Sequence, residues 1–268
     1  MSFLLALLYL MSQNILQLAP EPPALRIAYG NDPLQFGELR LPEGDGPHPV
    51  VIVIHGGFWR AAYNLDHISH LCTALNKAGL ATWSLEYRRI GDPGGGWRGT
   101  LDDVLAGKEH LRKIAGEQHL DLDRVVILGH SAGGQLALWA AAQPGFAVRG
   151  VVPLAGVTDL RRAYELKLSN SVVADFLGGS PEAVSERYAA ASPVELLPLQ
   201  VPQRLIHGRR DTNVPIELSA SYVAAAQAKG DDARLITLDD AAHFELIDPR
   251  AEEFEVVKTT VLSLLGRD

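Results

Sequence analysis

Val125-Val126-Ile127-Leu128-Gly129-His130-Ser131-Ala132-Gly133-Gly134 is the stretch on which the reading of this chain turns. Its first four residues are apolar and mostly β-branched, the character of a strand buried on both faces. The small-residue run 132–142 that follows suits a helix able to pack close against a sheet. Between them lies a Gly-x-Ser-x-Gly turn. A serine hydroxyl is a poor nucleophile until it is presented and activated. A sharp strand-to-helix turn lifts the Ser131 hydroxyl above the sheet edge, and Gly129 and Gly133 remove side chains that would crowd it. The helix start adds unpaired amide donors where negative charge develops. The plainer reading is a glycine-rich turn that lets a strand and a helix pack tightly.

Upstream, Val50-Val51-Ile52-Val53-Ile54 is a second central-strand candidate and leads into His55-Gly56-Gly57-Phe58-Trp59. Successive glycines let backbone amides approach a ligand closely, so this loop is expected to donate to an oxyanion from Gly57 or Phe58. Ala132 supplies the second amide. His55 is expected to organise the loop. Phe58 and Trp59 line a substrate pocket or lock the loop by packing.

Downstream, the strand candidate 203–206 empties into His207-Gly208-Arg209-Arg210-Asp211, and the strand 234–238 into Asp239-Asp240-Ala241-Ala242-His243. A near-neutral imidazole can take the serine proton and return it to a leaving group, which assigns His243 as base. Asp211 is the expected acid that fixes its tautomer. Alternatives stay open. His207 competes as base, Asp239 or Asp240 competes as acid, and Asp211 could instead pair with Arg209 or Arg210. His130 is expected to point away from the nucleophile.

Extended candidates at 25–29, 35–41, 50–54, 80–85, 124–128, 149–154, 203–206 and 234–238 alternate, from 50 onward, with helical candidates at 68–78, 101–117, 132–142, 216–228 and 244–265. That rhythm predicts an α/β fold, a mostly parallel sheet with helices on both faces. Residues 156–198 break it, and they are expected to form a small cap above a pocket or, more plainly, an extended crossover. The expected catalytic domain is 22–268, preceded by an apolar segment at 1–21.

The chain has 268 residues, enough for one large core. A net charge of -8 and the absence of a concentrated basic patch argue against nucleic-acid binding. Cys72 is the single cysteine, which excludes an intrachain disulfide and fits a cytoplasmic setting. The apolar run at 3–11 is too short to span a bilayer and has no basic residue before it. It is read as an amphipathic or buried segment covering the pocket or a neighbouring subunit in a homo-oligomer, with export as the weaker alternative. No HExxH, CxxC or close carboxylate cluster supplies metal ligands, so neither metal nor cofactor is expected.

With the Gly129–Gly134 turn, His55-Gly56-Gly57, Asp211 and His243 in hand, the chain resembles the α/β-hydrolase superfamily over 25–265. The resemblance implies a serine hydrolase that forms an acyl-enzyme on a small ester or amide, with Ser131, Asp211 and His243 as its triad. The His-Gly-Gly-x-Trp pattern at 55–59 is similar to that of arylformamidases, which implies hydrolysis of N-formyl-L-kynurenine. A broad carboxylesterase shares the same features. A non-catalytic binding protein on this fold is the alternative from another class.

Overall fold

The structure, a computed structural model, describes residues 14–267. The apolar run at 3–11 lies outside the described residues. Eight strands form one sheet in the order β1-β2-β4-β3-β5-β6-β7-β8. They are β1 (Leu25–Ala28), β2 (Phe36–Arg40), β3 (His48–Ile54), β4 (Ala81–Leu85), β5 (Leu120–His130), β6 (Gly150–Leu154), β7 (Gln203–Gly208) and β8 (Ala233–Leu238). β1 and β2 pair antiparallel with each other, and β2 with β4; from β4 onward every pairing is parallel. This is the α/β-hydrolase fold that the sequence predicted.

The alternation of β3 shows why the β-branched runs are central. Val50, Ile52 and Ile54 enter one buried cluster and Val51 and Val53 the other. The first cluster is closed by α2 (Gly99–Ile114), α3 (Ala132–Ala142) and α7 (Ile216–Ala228), the second by α1 (Ser69–Lys77) and α8 (Phe254–Leu264). Both sheet faces are therefore covered, as crossover connections require.

Two boundaries differ from expectation. The helix predicted over 244–265 is interrupted: a 3-10 turn at Glu245–Ile247 gives way to extended backbone at Asp248, and α8 begins only at Phe254. Pro249 accounts for the break, since it has no amide hydrogen and disfavours a helical residue before it. β5 also begins earlier than 124, because Leu120 and Asp121 pair with His48 and Pro49 before a register shift at Pro49/Val50. Residues 156–198 contain the short helices α4 (Leu160–Glu165), α5 (Val172–Leu177) and α6 (Ser185–Ala191). Among the described residues, no helix is long and apolar enough to cross a membrane.

Candidate active site

The parallel strands β3, β5, β7 and β8 end on one side of the sheet, and every expected site residue sits at or just beyond those ends. At the end of β5, Ser131 has φ 57° and ψ -120°, a conformation that L-residues rarely adopt. Both motif glycines are required by close approach. A Cβ on Gly129 would lie 2.0 Å from the Gly133 carbonyl oxygen, and one on Gly133 would lie 2.1 Å from the Ile54 oxygen. Ser131 donates its amide to Leu154 O at 2.8 Å, which ties the turn to β6.

The loops carrying Asp211 and His243 meet beyond β7 and β8. His243 Nδ1 donates to Asp211 Oδ2 at 2.6 Å. The Asp211 side chain is fully buried, and its other oxygen accepts from the amides of Asn213 (2.8 Å) and Val214 (2.9 Å). Burial raises its pKa, but hydrogen bonds from His207 and His243 outweigh that and hold the carboxyl well below the usual range. The alternative partners of Asp211 are otherwise engaged. Arg209 bonds Asp239 at 2.7 Å, and Arg210 pairs with Asp240, all four side chains being exposed.

His207 stands behind the acid rather than in the base position. Its Nε2 lies 2.9 Å from Val214 O and 3.4 Å from Asp211 Oδ2, and its Nδ1 lies 2.8 Å from Ser219 Oγ. Its ring is buried and lines no cavity with Ser131.

The expected oxyanion loop leaves β3 with positive φ at Gly57 (108°), Phe58 (51°) and Trp59 (56°). Among the described residues, the amides of Gly57, Phe58 and Ala132 take no protein acceptor, as donors awaiting an anion should. His55 organises the loop as expected. Its Nε2 faces Glu86 Oε1 at 3.1 Å, its ring stacks on Tyr87 at 4.3 Å, and its carbonyl accepts from the Tyr87 hydroxyl at 2.7 Å. Burial raises the Glu86 pKa, but His55 and Arg89 together bring it below the ordinary value.

Of the two places expected for Trp59, on a pocket wall or packed so as to lock the loop, the structure has the second. The run of positive φ turns its ring into the core, where it is 1% exposed, stacks on Phe176 at 4.7 Å and donates to Gln135 Oε1 at 3.0 Å. Gln135 in turn donates to Ala191 O at 2.9 Å. Residues 156–198 thus brace the loop at 57–59 from behind and contribute none of the cavity lining.

Ser131, His243, Gly57 and Phe58 line one cavity of about 90 Å³, together with Leu16, Tyr63, His67, His130, Asn213 and Phe244. His130 was expected to face away. It shares a sheet face with Leu128, two residues before it, and that face is covered by the loop carrying the base. Its ring packs on His243 at 4.6 Å, and its Nε2 donates to the His243 carbonyl at 3.0 Å. Burial above all, then the neighbouring His243 and His67, push the His130 pKa well below its ordinary value. His67 behaves similarly: burial, then His55, push it down to about 3. Both are neutral rings at neutral pH. Sequence reasoning did not single out Leu16, Tyr63, His67, Asn213 or Phe244 as lining residues; their proximity arises from tertiary packing. Among the described residues, no group of three or more His, Cys, Asp or Glu side chains is arranged to hold a metal ion.

Several known proteins are similar to this chain. A probable isoprenylcysteine alpha-carbonyl methylesterase of Arabidopsis thaliana is 26% identical over 270 residues, covering 88% of this chain and 55% of that protein. A probable carboxylic ester hydrolase, LipM of Mycobacterium tuberculosis, is 28% identical over 202 residues, covering 69% of this chain and 46% of that protein. The chain spans about half the length of these relatives. In fold it is similar to an inhibited esterase B from Lactobacillus rhamnosis, with a TM-score of 0.79 at 21% identity, covering 90% of this chain and 85% of that one. The family model described as BD-FAE matches residues 38–225, well over half of the chain and inclusive of the Gly57 loop, the Ser131 turn and Asp211. The chain belongs to the BD-FAE family.

Proposed function

We propose that this protein is a serine hydrolase of small carboxylic esters, with Ser131 as nucleophile, His243 as general base and Asp211 as the acid that steadies it. The observation that carries the reading is the buried Asp211–His243 hydrogen bond of 2.6 Å at the edge of the cavity that Ser131 lines. With Nδ1 committed to Asp211, the imidazole keeps Nε2 for the serine proton. Ser131 Oγ attacks the ester carbonyl, His243 takes its proton, and the oxyanion is held by the amides of Ala132 and of Gly57 or Phe58. Loss of one such donor costs about 3 kcal/mol of transition-state stabilisation. The alcohol leaves with the proton from His243, and water then repeats the attack on the acyl-enzyme.

A cavity of about 90 Å³ favours a short acyl group such as acetyl. The choice of an ester over an amide is supported by the descriptions of the Arabidopsis and Mycobacterium relatives, neither of which is a formamidase. N-Formylkynurenine hydrolysis rests only on the His55 to Trp59 pattern, and Trp59, the residue that made it distinctive, is buried away from the cavity.

An active-site-directed fluorophosphonate tests the reading. Wild type and Ser169→Ala should label, and Ser131→Ala should not. Undiminished labelling of Ser131→Ala would overturn the assignment.

A further inference from the structure

Among the described residues, four large apolar side chains stand out as exposed: Leu16 (40%), Leu25 (41%), Tyr63 (42%) and Leu166 (37%). Two of the four, Leu16 and Tyr63, line the one small cavity that holds Ser131 and His243. Single exposed leucines need no explanation, whereas exposed apolar groups gathered at a concave catalytic site do.

Neither residue is there by fraying. Ile15, beside Leu16, is 2% exposed within the core cluster that contains Leu71 and Leu75 of α1. Asn14 Oδ1 caps the 3-10 turn by accepting the Leu16 amide at 3.0 Å. Farther along the strap, His70 Nε2 lies 3.0 Å from Ala19 O, the Glu21 amide donates to Ser69 Oγ at 3.0 Å, and Arg40 donates to Glu21 O at 2.6 Å. Tyr63 is held by its amide on Arg60 O at 3.1 Å and by Arg89, which donates to its carbonyl. It rests so closely on Gly57 that a Cβ there would lie 2.4 Å from its own.

The cavity is far smaller than the roughly 300–1,000 Å³ that encloses an entire drug-sized ligand. An ester bound with its short group inside must therefore run outward past the exposed members of the lining, which are Leu16, Tyr63 and Asn213. No Asp, Glu, Lys or Arg side chain lines the cavity, and at its mouth the Asn213 amide and the Tyr63 hydroxyl stand beside the apolar Leu16 side chain and Tyr63 ring. An aromatic or aliphatic group would cover Leu16 and the Tyr63 ring.

Resting on the esterase reading above, we infer that Leu16 and Tyr63 form an apolar mouth against which an aryl or alkyl larger part of a short-acyl ester packs. Leu16, on the strap that precedes the sheet, is a specificity-determining residue.

Two acetyl esters test this, phenyl acetate and a mono-acetylated methyl xyloside, with fluorophosphonate labelling run in parallel on each variant. Comparing the ratio of kcat/KM for the two esters between each variant and wild type cancels their differing intrinsic reactivity. Leu16→Ser and Tyr63→Ala should each lower the ratio of phenyl acetate to acetyl xyloside by about tenfold, through KM rather than kcat. Leu16→Met should retain the wild-type ratio, and so should Leu25→Ser, a change at an equally exposed leucine on β1. Labelling that persists while the ratio stays unchanged in both Leu16→Ser and Tyr63→Ala overturns the inference and leaves the esterase reading standing. A wild type that neither labels nor cleaves either ester overturns both.

Discussion

The two ends of the sheet carry opposite kinds of cavity. At the N-terminal ends of β6, β7 and β8, Arg149, Arg204, Arg234 and Arg267 surround a groove of about 770 Å³. At the C-terminal ends, about 90 Å³ is lined by three histidines, a serine, aromatic rings and glycine. Volume alone would direct attention to the wrong end. In the large groove the arginines are occupied with neighbours: Arg149 bonds Asp123 O at 2.6 Å, Arg204 bonds Asp232 at 2.7 Å, and Arg267 bonds Gly79 O at 2.7 Å. At the small end, the amides of Gly57, Phe58 and Ala132 take no acceptor among the described residues, the serine backbone is held in a rarely populated conformation, and the Asp211 and Glu86 carboxylates are held ionised with the help of histidines. Unspent donors and shifted pKa values at the open ends of parallel strands distinguish a reactive site from a surface depression.

The widest separation between the two ends should come from Asp211→Asn. An amide in its place stabilises no imidazolium and favours the wrong tautomer, so kcat for an acetyl ester should fall about 10³- to 10⁴-fold. Arg204→Ala and Arg234→Ala at the opposite end should each stay within about twofold. Comparable losses from either arginine variant in steady-state kinetics would erase the contrast.

A smaller effect is expected behind the acid. His207→Gln removes the ring that bridges Asp211, Val214 O and Ser219. We expect kcat to drop about tenfold with little change in KM, and the midpoint of acid unfolding to move to higher pH as Asp211 loses one of the groups that depress it. A KM effect with kcat intact would place His207 in substrate binding instead.

The smallest effect is one of stability. His67 and His130 are lowered in the folded chain, His67 to about 3, so below about pH 6.5 the unfolded chain binds protons that the native one does not. Their contribution is complete above that value and is lost as pH falls toward the folded pKa, at about 1.4 kcal/mol per pH unit for each ring. Urea unfolding at pH 7 and pH 5 should show the loss, and His67→Asn with His130→Asn should flatten it. An unchanged slope in the double variant would locate the acid sensitivity elsewhere.

Much of this was legible from local pattern. β-Branched runs at 50–54 and 125–128 mark the central strands because only strands covered on both faces read that way. Ser131, Asp211 and His243 could be picked because each follows a strand, and strand ends share one side of a parallel sheet. What local pattern could not carry was direction and long-range contact. Three successive positive φ values swing Trp59 inward, whereas Phe58 stays on the wall. His130 follows the alternation of β5 beneath a loop more than a hundred residues later. Leu16 reaches the cavity only because Ile15 is anchored in a core built largely from residues far along the chain.

The brace running from Trp59 through Gln135 to the carbonyl of Ala191 has an evolutionary consequence. Gln135 grips main chain, and every amino acid offers the same carbonyl there. The exposed side chains of residues 156–198 are thus free to drift, and even to make a new surface, without loosening the loop at 57–59, so long as the buried ones keep the backbone near 191 on its path and an aromatic ring remains at 176 to stack on the indole.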